Sequence, residues 1–176
     1  MFNQGLYAMT LFRPDLCLPE DWVSRAQFRF YTPGDEAVWA RLGIESGLFE
    51  NNAQAESAFD HSFWMDRPLL NRRMVFMLDE AHREIATMTA WFDGGQGTLQ
   101  WLMANPSLPV HETHYQLAGY GLGLLGRLEY QDACLTLCGD NAQALRAYLY
   151  LGFRPLLGGG AEEREKWARL LDQLAN

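Results

Sequence analysis

The sequence lacks most of the features that reveal a function through composition alone. It has 14 Lys and Arg residues against 22 Asp and Glu residues, for a formal net charge of −8, and no basic stripe runs along the chain. This shortage of positive charge argues against nucleic acid as a partner. No run of 18 apolar residues and no signal-peptide pattern is present, so we expect a cytoplasmic protein with no membrane association.

Cysteine is also scarce, and its three occurrences, Cys17, Cys134 and Cys138, are odd in number and show no metal-ligand spacing. We therefore expect reduced thiols and no bound metal. The chain contains no Ser-His-Asp order, no CxxC pair, no HExxH motif and no P-loop. These absences remove the usual sequence signatures of triad hydrolases, zinc peptidases and P-loop nucleotidases.

The sequence does contain enough apolar material for a substantial folded core. Of its 176 residues, 48% are hydrophobic and 13% are aromatic, which argues against disorder and predicts one domain over 1–176. We interpret residues 1–24 as an ordered arm and not as a strand. Apolar runs predict strands at 27–31, 73–78, 84–92, 98–104, 133–138 and 153–157.

Amphipathic spacing predicts helices between these strands. One begins near Glu36 with Asp35 as its cap, and a second covers about 54–64. A third, about 113–129, keeps helical spacing although it contains four glycines, each of which costs about 1 kcal/mol relative to Ala. A terminal amphipathic helix is expected within 161–176. The predicted order is β-α-α-β-β-β-α-β-α, followed by a last strand.

The most informative stretch follows an apolar run that is predicted as a strand. Asn141 is placed to cap a helix, Ala144 and Tyr148 lie at helical spacing, and Gly152 before Phe153 ends the helix. Ordinary helix packing also explains each feature taken alone. Together these five residues resemble a motif of the GNAT acetyltransferase family, Asn-x-x-Ala-x-x-x-Tyr followed by Gly-Phe.

The resemblance is to one bacterial branch of that family and covers nearly the whole chain. It implies an α/β fold whose mixed central sheet is flanked by helices and splays apart at a cofactor cleft. It also implies acetyl-CoA as co-substrate and a small amine as acceptor, and it leaves a homodimer open. The similar segments outside the motif are 12–20, 31–35, 87–91 and 100–101.

Roles for individual residues follow from the same resemblance. Asn141 and Tyr148 are expected to face the thioester of acetyl-CoA, with Tyr148 as the acid that protonates the departing thiolate. The main chain of Leu102, Met103 and Ala104 is expected to bind the pantetheine arm and the thioester oxygen. A buried tyrosine with no catalytic role is the alternative interpretation of Tyr148.

The sequence departs from the family at the pyrophosphate loop. GNAT proteins hold this group with the amides of a glycine-rich loop that opens a helix. Counting without gaps, the loop corresponds here to Val110, His111, Glu112, Thr113 and His114. Val110, Glu112 and His114 replace glycines, and Glu112 brings a carboxylate to the phosphate site. Two like charges 4 Å apart repel by roughly 1 kcal/mol in water and by several times that near a protein surface.

A second register is also open, because 116–121 reads Gln-Leu-Ala-Gly-Tyr-Gly and fits the family pattern by letter. That register leaves the following helix only about 122–130 and makes the preceding loop long for a compact domain. The gapless register is favoured, because chain length and helical periodicity both agree with it. It places Gly119 and Gly121 inside the helix.

Neither the general base nor the acceptor pocket can be identified from the sequence. Glu84, Asp93, His61 and His111 are candidates for the base, and each is equally explained as a solvated surface residue. Three tryptophans near the expected cleft are candidates for lining a pocket that holds the acceptor amine. The alternative is that they only pack in the hydrophobic core, as buried tryptophans often do. These are Trp64, Trp91 and Trp101.

Three functions are consistent with this sequence. The first is an acyl-CoA-dependent N-acetyltransferase that acts on a small amine. The second is a catalytically inactive binding protein that kept the scaffold and lost the cofactor loop. The third is an acyltransferase whose donor lacks the CoA pyrophosphate.

Overall fold

A seven-stranded sheet organises the chain in the computed structural model, which describes residues 8–138, 141–156 and 161–175. The strands are Ala8–Arg13 (β1), Gln27–Phe30 (β2), Met74–Leu78 (β3), Glu84–Asp93 (β4), Gln96–Ala104 (β5), Ala133–Cys138 (β6) and Arg154–Pro155 (β7). The helices are Glu36–Glu45 (α1), Asn52–Phe63 (α2), Val110–Arg127 (α3), Ala142–Tyr150 (α4) and Ala161–Ala175 (α5), with a 3₁₀ helix at Arg67–Arg72.

The strands follow the order β2-β3-β4-β5-β6-β1-β7 across the sheet. Neighbouring strands are antiparallel except β5 and β6, which are parallel and are joined through α3. The predicted α/β fold with a mixed sheet is confirmed, and all six predicted strands lie in this one sheet. The last of them is shorter than expected, and residue 157 of that prediction lies outside the described residues.

Alternating side chains divide the core between the two faces of the sheet. On β3, Val75 and Met77 join a cluster with α3 and α4, whereas Met74 and Phe76 join a second cluster with α1 and α2. Successive side chains of a strand point to opposite faces, so one apolar strand serves both clusters. The second cluster is rich in aromatic residues and is centred on Trp39, which is fully buried.

The interpretation of the N-terminal segment as an arm without a strand is wrong for 8–13. These residues form β1, which lies between β6 and β7 and pairs antiparallel with both. Leu11 is fully buried in the sheet. The alternation of apolar and polar residues in this segment is short and is interrupted by Arg13. The extended conformation is therefore decided by pairing with β6 and β7 and not by the local sequence. The part that follows β1 matches the predicted arm and crosses the outer side of α3.

Helix α3 begins at Val110, three residues before the predicted start at Thr113. Pro109 occupies the N-cap position. The helix contains Gly119 and Gly121, as the gapless register predicts, and the alternative loop at 116–121 is therefore helical. The earlier start means that the five residues assigned to a pyrophosphate loop form the first turn of a helix and the start of its second.

A side-chain cap is present at the start of α4 and absent at the start of α1. Asn141 Oδ1 accepts a hydrogen bond from the amide of Ala144 at 3.0 Å, as its sequence position suggests. Asp35 occupies the N-cap position of α1 but makes no side-chain cap. Its carboxylate instead accepts from the Thr32 amide at 2.7 Å and from the Arg29 guanidinium at 2.6 Å.

Candidate functional site

A cleft opens in the sheet where β5 and β6 stop pairing. Their parallel pairing covers only 97–99 opposite 133–135, although β5 continues to Ala104 and β6 to Cys138. The predicted splaying of these strands is thereby confirmed. Beyond Leu99, β5 keeps its pairing with β4 on one side, while on the other side its main-chain groups face the cleft.

A bulge in β5 shapes one wall of this cleft. Thr89 pairs with Gln100 and Thr87 pairs with Met103, so two residues of β5 lie opposite the single residue Met88. Trp101, inside this bulge, has a φ of 55°, which is unusual for a bulky residue. Bulges of this kind redirect side chains and end pairing next to functional sites.

The bulge also changes which face of the sheet each β5 side chain serves. Leu99 packs with α3 and α4, whereas Met103 packs in the aromatic cluster on the other face. Residues four apart on a regular strand share a face, so the bulge inverts the alternation. Leu102 and Ala104 thereby return to the face that carries α3. The predicted pantetheine-binding segment 102–104 lies directly after this inversion.

Helix α4 follows β6 and carries the predicted acid. Tyr148 is only 2% exposed, and its hydroxyl lies 2.6 Å from His114 Nδ1. The two rings meet edge to face, with centroids 5.6 Å apart. The helix ends at Tyr150, and Gly152 follows its C-cap with a φ of 91° that favours glycine. A Cβ at Gly152 would lie 3.0 Å from Arg13 Nη1. The Gly-Phe part of the motif is therefore fixed by backbone conformation and by close packing.

The first turn of α3 is an open helix N-terminus. Its N-cap, Pro109, makes no side-chain hydrogen bond to the helix, so amides of the first turn have no side-chain cap. Such amides, together with the helix dipole, favour anions. An anion is favoured at this helix start on general grounds, although the glycines of the family pattern are absent, and a phosphate site at 110–114 stays a prediction.

The three side chains that replace loop glycines each have a partner within the chain. Val110 packs against the core shared by α3 and α4. Glu112 Oε1 accepts a hydrogen bond from Gln116 Nε2 at 3.3 Å, which draws its carboxylate along the side of the helix. His114 contacts Tyr148. All three side chains that replace loop glycines therefore make specific contacts with other parts of the chain.

The remaining two residues of the predicted segment lie on different sides of α3. Thr113 is buried, whereas His111 stacks on Tyr115 with ring centroids 6.2 Å apart. A surface pocket of about 190 Å³ is lined by His111, Tyr115 and Tyr150. The hydroxyl of Tyr150 donates to Asp21 at 2.7 Å. A larger pocket of about 390 Å³ lies between α1 and α2, away from Tyr148.

Burial changes the protonation of His114. Removal from water lowers its pKa to about 4, because the charged imidazolium loses hydration in this environment. The ring is therefore neutral at pH 7, with one nitrogen that carries a proton and one that does not. A neutral His114 ring brings no positive charge to a phosphate at this pH.

Three of the four candidates for the general base lie away from Tyr148, and only His111 is on α3, the helix whose His114 contacts Tyr148. The Glu84 carboxylate accepts from Arg29 Nη2 at 2.7 Å, and although burial opposes its charged form, the arginine holds its pKa below the usual value. Asp93 pairs with Gln96 at the start of β5, the end opposite the cleft. His61 is exposed on α2. None of these three is placed beside the predicted acid.

The three tryptophans do not gather into one acceptor pocket, so that hypothesis is wrong in its full form. Trp64 is 70% exposed at the end of α2. Trp91 and Trp101 belong to the aromatic cluster on the α1–α2 face, where Trp101 lies 5.3 Å from the Trp39 ring. Only Trp101 combines a place in this cluster with a position in the bulge of β5.

The sequence analysis missed the contact between His114 and Tyr148 and the contacts of the arm with α3. Gln116 accepts from the Arg25 amide at 2.9 Å and donates to the Val23 carbonyl at 3.2 Å. These residue pairs are far apart in sequence and carry no shared motif. The sequence carries one related signal, the helical spacing of apolar residues in α3 and α4. It predicts that the two helices pack, but it does not specify that His114 and Tyr148 meet.

Metal clusters and membrane-spanning helices are both absent from the described residues. Within 8–138, 141–156 and 161–175, no group of three or more His, Cys, Asp or Glu side chains is arranged to hold a metal ion. Among the helices of the same residues, none has both the length and the apolar character needed to cross a membrane.

Structural comparison identifies the architecture. The chain matches a GCN5-related N-acetyltransferase from Sphaerobacter thermophilus over 86% of its length, with 16% identity and a TM-score of 0.61. It matches a GNAT-family acetyltransferase from Colwellia psychrerythraea over 89%, with 9% identity and a TM-score of 0.64. A tandem GNAT protein from the clavulanic acid biosynthesis pathway matches over 88%, with 14% identity and a TM-score of 0.54.

These matches show that the chain has the GNAT fold. It spans 50%, 54% and 51% of the three matched chains, or about half of each. No protein-family model matches the sequence, and no curated protein sequence matches it.

Proposed function

We propose that this chain is an acetyl-CoA-dependent N-acetyltransferase that acts on a small amine. The observation that carries this proposal is the cleft between β5 and β6, with Tyr148 on the helix that follows β6. Pairing of these strands stops after Leu99 and Leu135, and the motif that resembles the GNAT family begins three residues beyond β6. A fold shared with N-acetyltransferases supports this reading without specifying the substrate.

The residues present fit a pantetheine thioester and, in part, a pyrophosphate. The segment 102–104 of β5 offers main-chain donors and acceptors on the side away from β4, where the pairing with β6 has already ended. The open first turn of α3 offers amides to an anion. Glu112 works against this second contact, but its hydrogen bond to Gln116 moves the charge toward the side of the helix.

The proposed chemistry needs little from the protein beyond positioning and one proton. Acetyl-CoA supplies an acetyl group that is activated as a thioester. Tyr148 delivers its phenolic proton to the departing sulfur, and the main chain of β5 orients the reacting carbonyl. Glu84, Asp93 and His61 are not placed beside Tyr148, so of the four candidates for the base that deprotonates the acceptor nitrogen, His111 in the first turn of α3 stays a prediction.

A catalytically inactive binding protein is the second candidate, and two observations favour it. Val110, Glu112 and His114 occupy glycine positions of the family loop, and bulky side chains there restrict close approach of phosphates to the backbone. Tyr148 is 2% exposed and its hydroxyl already has a partner, which also suits a core tyrosine. The two candidates share the fold and differ in turnover.

The experiment that separates them measures binding first and turnover second. Calorimetric titration with acetyl-CoA reports whether the donor binds, and ligand that binds only the native state also raises the melting temperature. Release of free thiol is then followed with a panel of small amines. Donor binding with thiol release supports the enzyme, whereas neither signal across the panel contradicts it and favours the binding protein.

Tyr148→Phe is the matched variant for this assay. It removes only the hydroxyl, so packing of the ring is retained while the proton donor is lost. We expect kcat to fall roughly 10²-fold with little change in KM for acetyl-CoA, since general acid catalysis is typically worth 10²–10⁴. Equal kcat values for the two proteins would remove Tyr148 from the mechanism.

A further inference from the structure

The larger pocket lies on the face of the sheet that carries α1 and α2, opposite the face on which Tyr148 packs. Its volume of about 390 Å³ is within the range of roughly 300–1,000 Å³ that is usual for small-ligand sites. The pocket beside Tyr150, at about 190 Å³, is smaller than that range. The residues that line this α1–α2 pocket are Ala37, Ala40, Arg41, Ile44, Glu45, Asn52 and Glu56.

The floor of the α1–α2 pocket is apolar. Ala37, Ala40 and Ile44 follow helical spacing along one side of α1. Ala40 is buried, and Ile44 packs against the aromatic cluster around Trp39, so the core beneath the floor holds it in place. A floor of this kind favours contact with a hydrocarbon chain.

The rim of the α1–α2 pocket is negatively charged. Glu45 and Glu56 contribute carboxylates, and Arg41 contributes a guanidinium. Arg41 Nη1 donates to Glu45 at 2.9 Å and Arg41 Nη2 donates to the Glu84 carbonyl at 2.9 Å, so this cation is already engaged. Within the part of the chain that the structure describes, no cation forms an ion pair with Glu56. The rim therefore has a carboxylate available to a positively charged ligand.

The two helix ends at the pocket do not change this preference. The last turn of α1, which supplies Ile44 and Glu45, has no basic residue, and its dipole favours a cation. Asn52 is the first residue of α2, whose dipole favours an anion. These two contributions oppose each other, so the side-chain carboxylates decide the sign of the ligand.

We propose that the α1–α2 pocket is a binding site for an alkylammonium ion, with the nitrogen beside the Glu56 carboxylate and the alkyl chain on the floor. This inference goes beyond the proposed acetyltransferase function and does not rest on it. The wall of the pocket also contacts the end of the cleft-lining strand. Glu45 accepts from Asn105 Nδ2 at 3.3 Å, and Asn105 directly follows β5.

The first test titrates the full chain with n-alkylammonium chlorides from ethyl to hexyl and with the alcohols of the same lengths. Calorimetry measures Kd, and backbone amide NMR shifts locate the site. We expect Kd to fall by up to about fourfold for each methylene that is buried, with shifts confined to α1 and the start of α2. The alcohols should bind roughly two- to fivefold more weakly, because they carry no charge for the carboxylates. Equal Kd values for hexylammonium and hexanol, no saturable binding, or shifts elsewhere would each overturn the proposal.

Two variants test the rim and the floor separately. Glu56→Gln removes the charge and keeps the size of the side chain, so Kd for hexylammonium should rise roughly two- to fivefold while Kd for hexanol stays unchanged. Ala37 is exposed on α1, and Ala37→Lys places a long cationic side chain over the floor at little cost to the helix. It should abolish binding of both ligands. An unchanged Kd for hexylammonium in either variant, with melting temperatures that show folded protein, contradicts the proposal.

Glu20→Gln is the matched control. It makes the same change in net charge as Glu56→Gln, at an exposed position in the arm that crosses α3 on the other face of the sheet. Its Kd for hexylammonium should equal that of the wild type. A rise as large as in Glu56→Gln would assign binding to the net charge of the protein and overturn the site.

The outcomes for this site are independent of the outcomes for the proposed function. Acetyl-CoA binding and thiol release test the acetyltransferase, and their absence leaves saturable hexylammonium binding as support for the pocket. A wild-type protein that releases thiol but does not bind hexylammonium overturns the pocket alone.

Discussion

Helix α3 contains four glycines, which are poor helix formers, and close packing explains two of them. Gly119, Gly121, Gly123 and Gly126 all lie within Val110–Arg127. A Cβ at Gly121 would lie 2.7 Å from Leu99 Cδ2 and 2.8 Å from Met88 Cε, under the sheet. A Cβ at Gly119 would lie 2.5 Å from Trp22 Cε2, under the arm. The other two positions have room.

Alanine substitutions at these positions should therefore change stability in opposite directions. At Gly123 the nearest atom to a new Cβ is 3.8 Å away, and at Gly126 it is 3.9 Å away. Replacing glycine by Ala in a helix gains about 1 kcal/mol, so Gly123→Ala should be more stable by about that amount. Gly126→Ala should gain less, since it lies in the last turn.

At the two crowded positions the same gain is opposed by overpacking. Forcing extra atoms into a packed core costs about 1–3 kcal/mol. Because the helix propensity term is common to both substitutions, the difference between Gly123→Ala and Gly121→Ala isolates this cost. Gly119→Ala should likewise be less stable than Gly123→Ala, because Trp22 and the arm must move outward.

Urea unfolding of the four variants measures the result directly. For a domain of this size, 1 kcal/mol corresponds to roughly 2–4 °C in melting temperature, so thermal melts give an independent check. Equal stabilisation by Gly119→Ala, Gly121→Ala and Gly123→Ala would refute the reasoning. It would mean that the arm and the sheet do not approach α3 as closely as described.

Three further perturbations address the site. Glu112→Gly should tighten acetyl-CoA binding by about 1–3 kcal/mol, since it removes a charge and a Cβ from the phosphate site; calorimetry measures this. Asn141→Ala should lower the free energy of unfolding by about 1 kcal/mol through loss of the α4 cap, as followed in urea. Burial lowers the pKa of His114 to about 4, so the unfolded chain takes up its proton first as pH falls from about 6.5. Wild-type stability should therefore drop by up to about 3 kcal/mol between pH 6.5 and pH 4, and His114→Asn should lack this component.

Each of these perturbations has a matched control. Glu112→Gln removes the charge while keeping helix propensity, so binding that improves in Gly and not in Gln would assign the effect to the backbone. Asn141→Ser should retain the cap, and equal stability of the Ala and Ser variants would contradict its role. Acid titration of carboxylates is common to the wild type and His114→Asn, and therefore cancels in their difference. Parallel pH curves for these two proteins would show that His114 is not buried as a neutral ring.

Local sequence rules predicted those parts of the fold that are decided locally. The cap at Asn141, the stop at Gly152 and the turn at 79–82 each depend on residues within a few positions of one another. The apolar runs of β3, β4, β5 and β6 were visible because each is long enough to show its pattern. The helical spacing of apolar residues correctly predicted α3 despite its four glycines. The prediction began at about Thr113 and so did not include the first turn, which follows Pro109.

The parts that could not be predicted depend on contacts between distant segments. Strand β1 is short, and Leu11 is buried only because β6 and β7 pair on its two sides. The contact between His114 and Tyr148 spans 34 positions and depends on how α3 packs against α4. Trp22 finds a place because Gly119 has no side chain. In each case the partner is fixed only by the assembled sheet.

The first turn of α3 is the place where the two candidate functions diverge. A chain that had merely lost a cofactor loop would have no reason to give each replacement a partner. Here Val110 packs in the core, Glu112 bonds Gln116 and His114 bonds Tyr148, so the glycine positions have been absorbed into the fold. Such integration is compatible with either function. Of the three replacements, His114 is the one that contacts Tyr148, and measurements of acetyl-CoA binding and thiol release decide between the two functions.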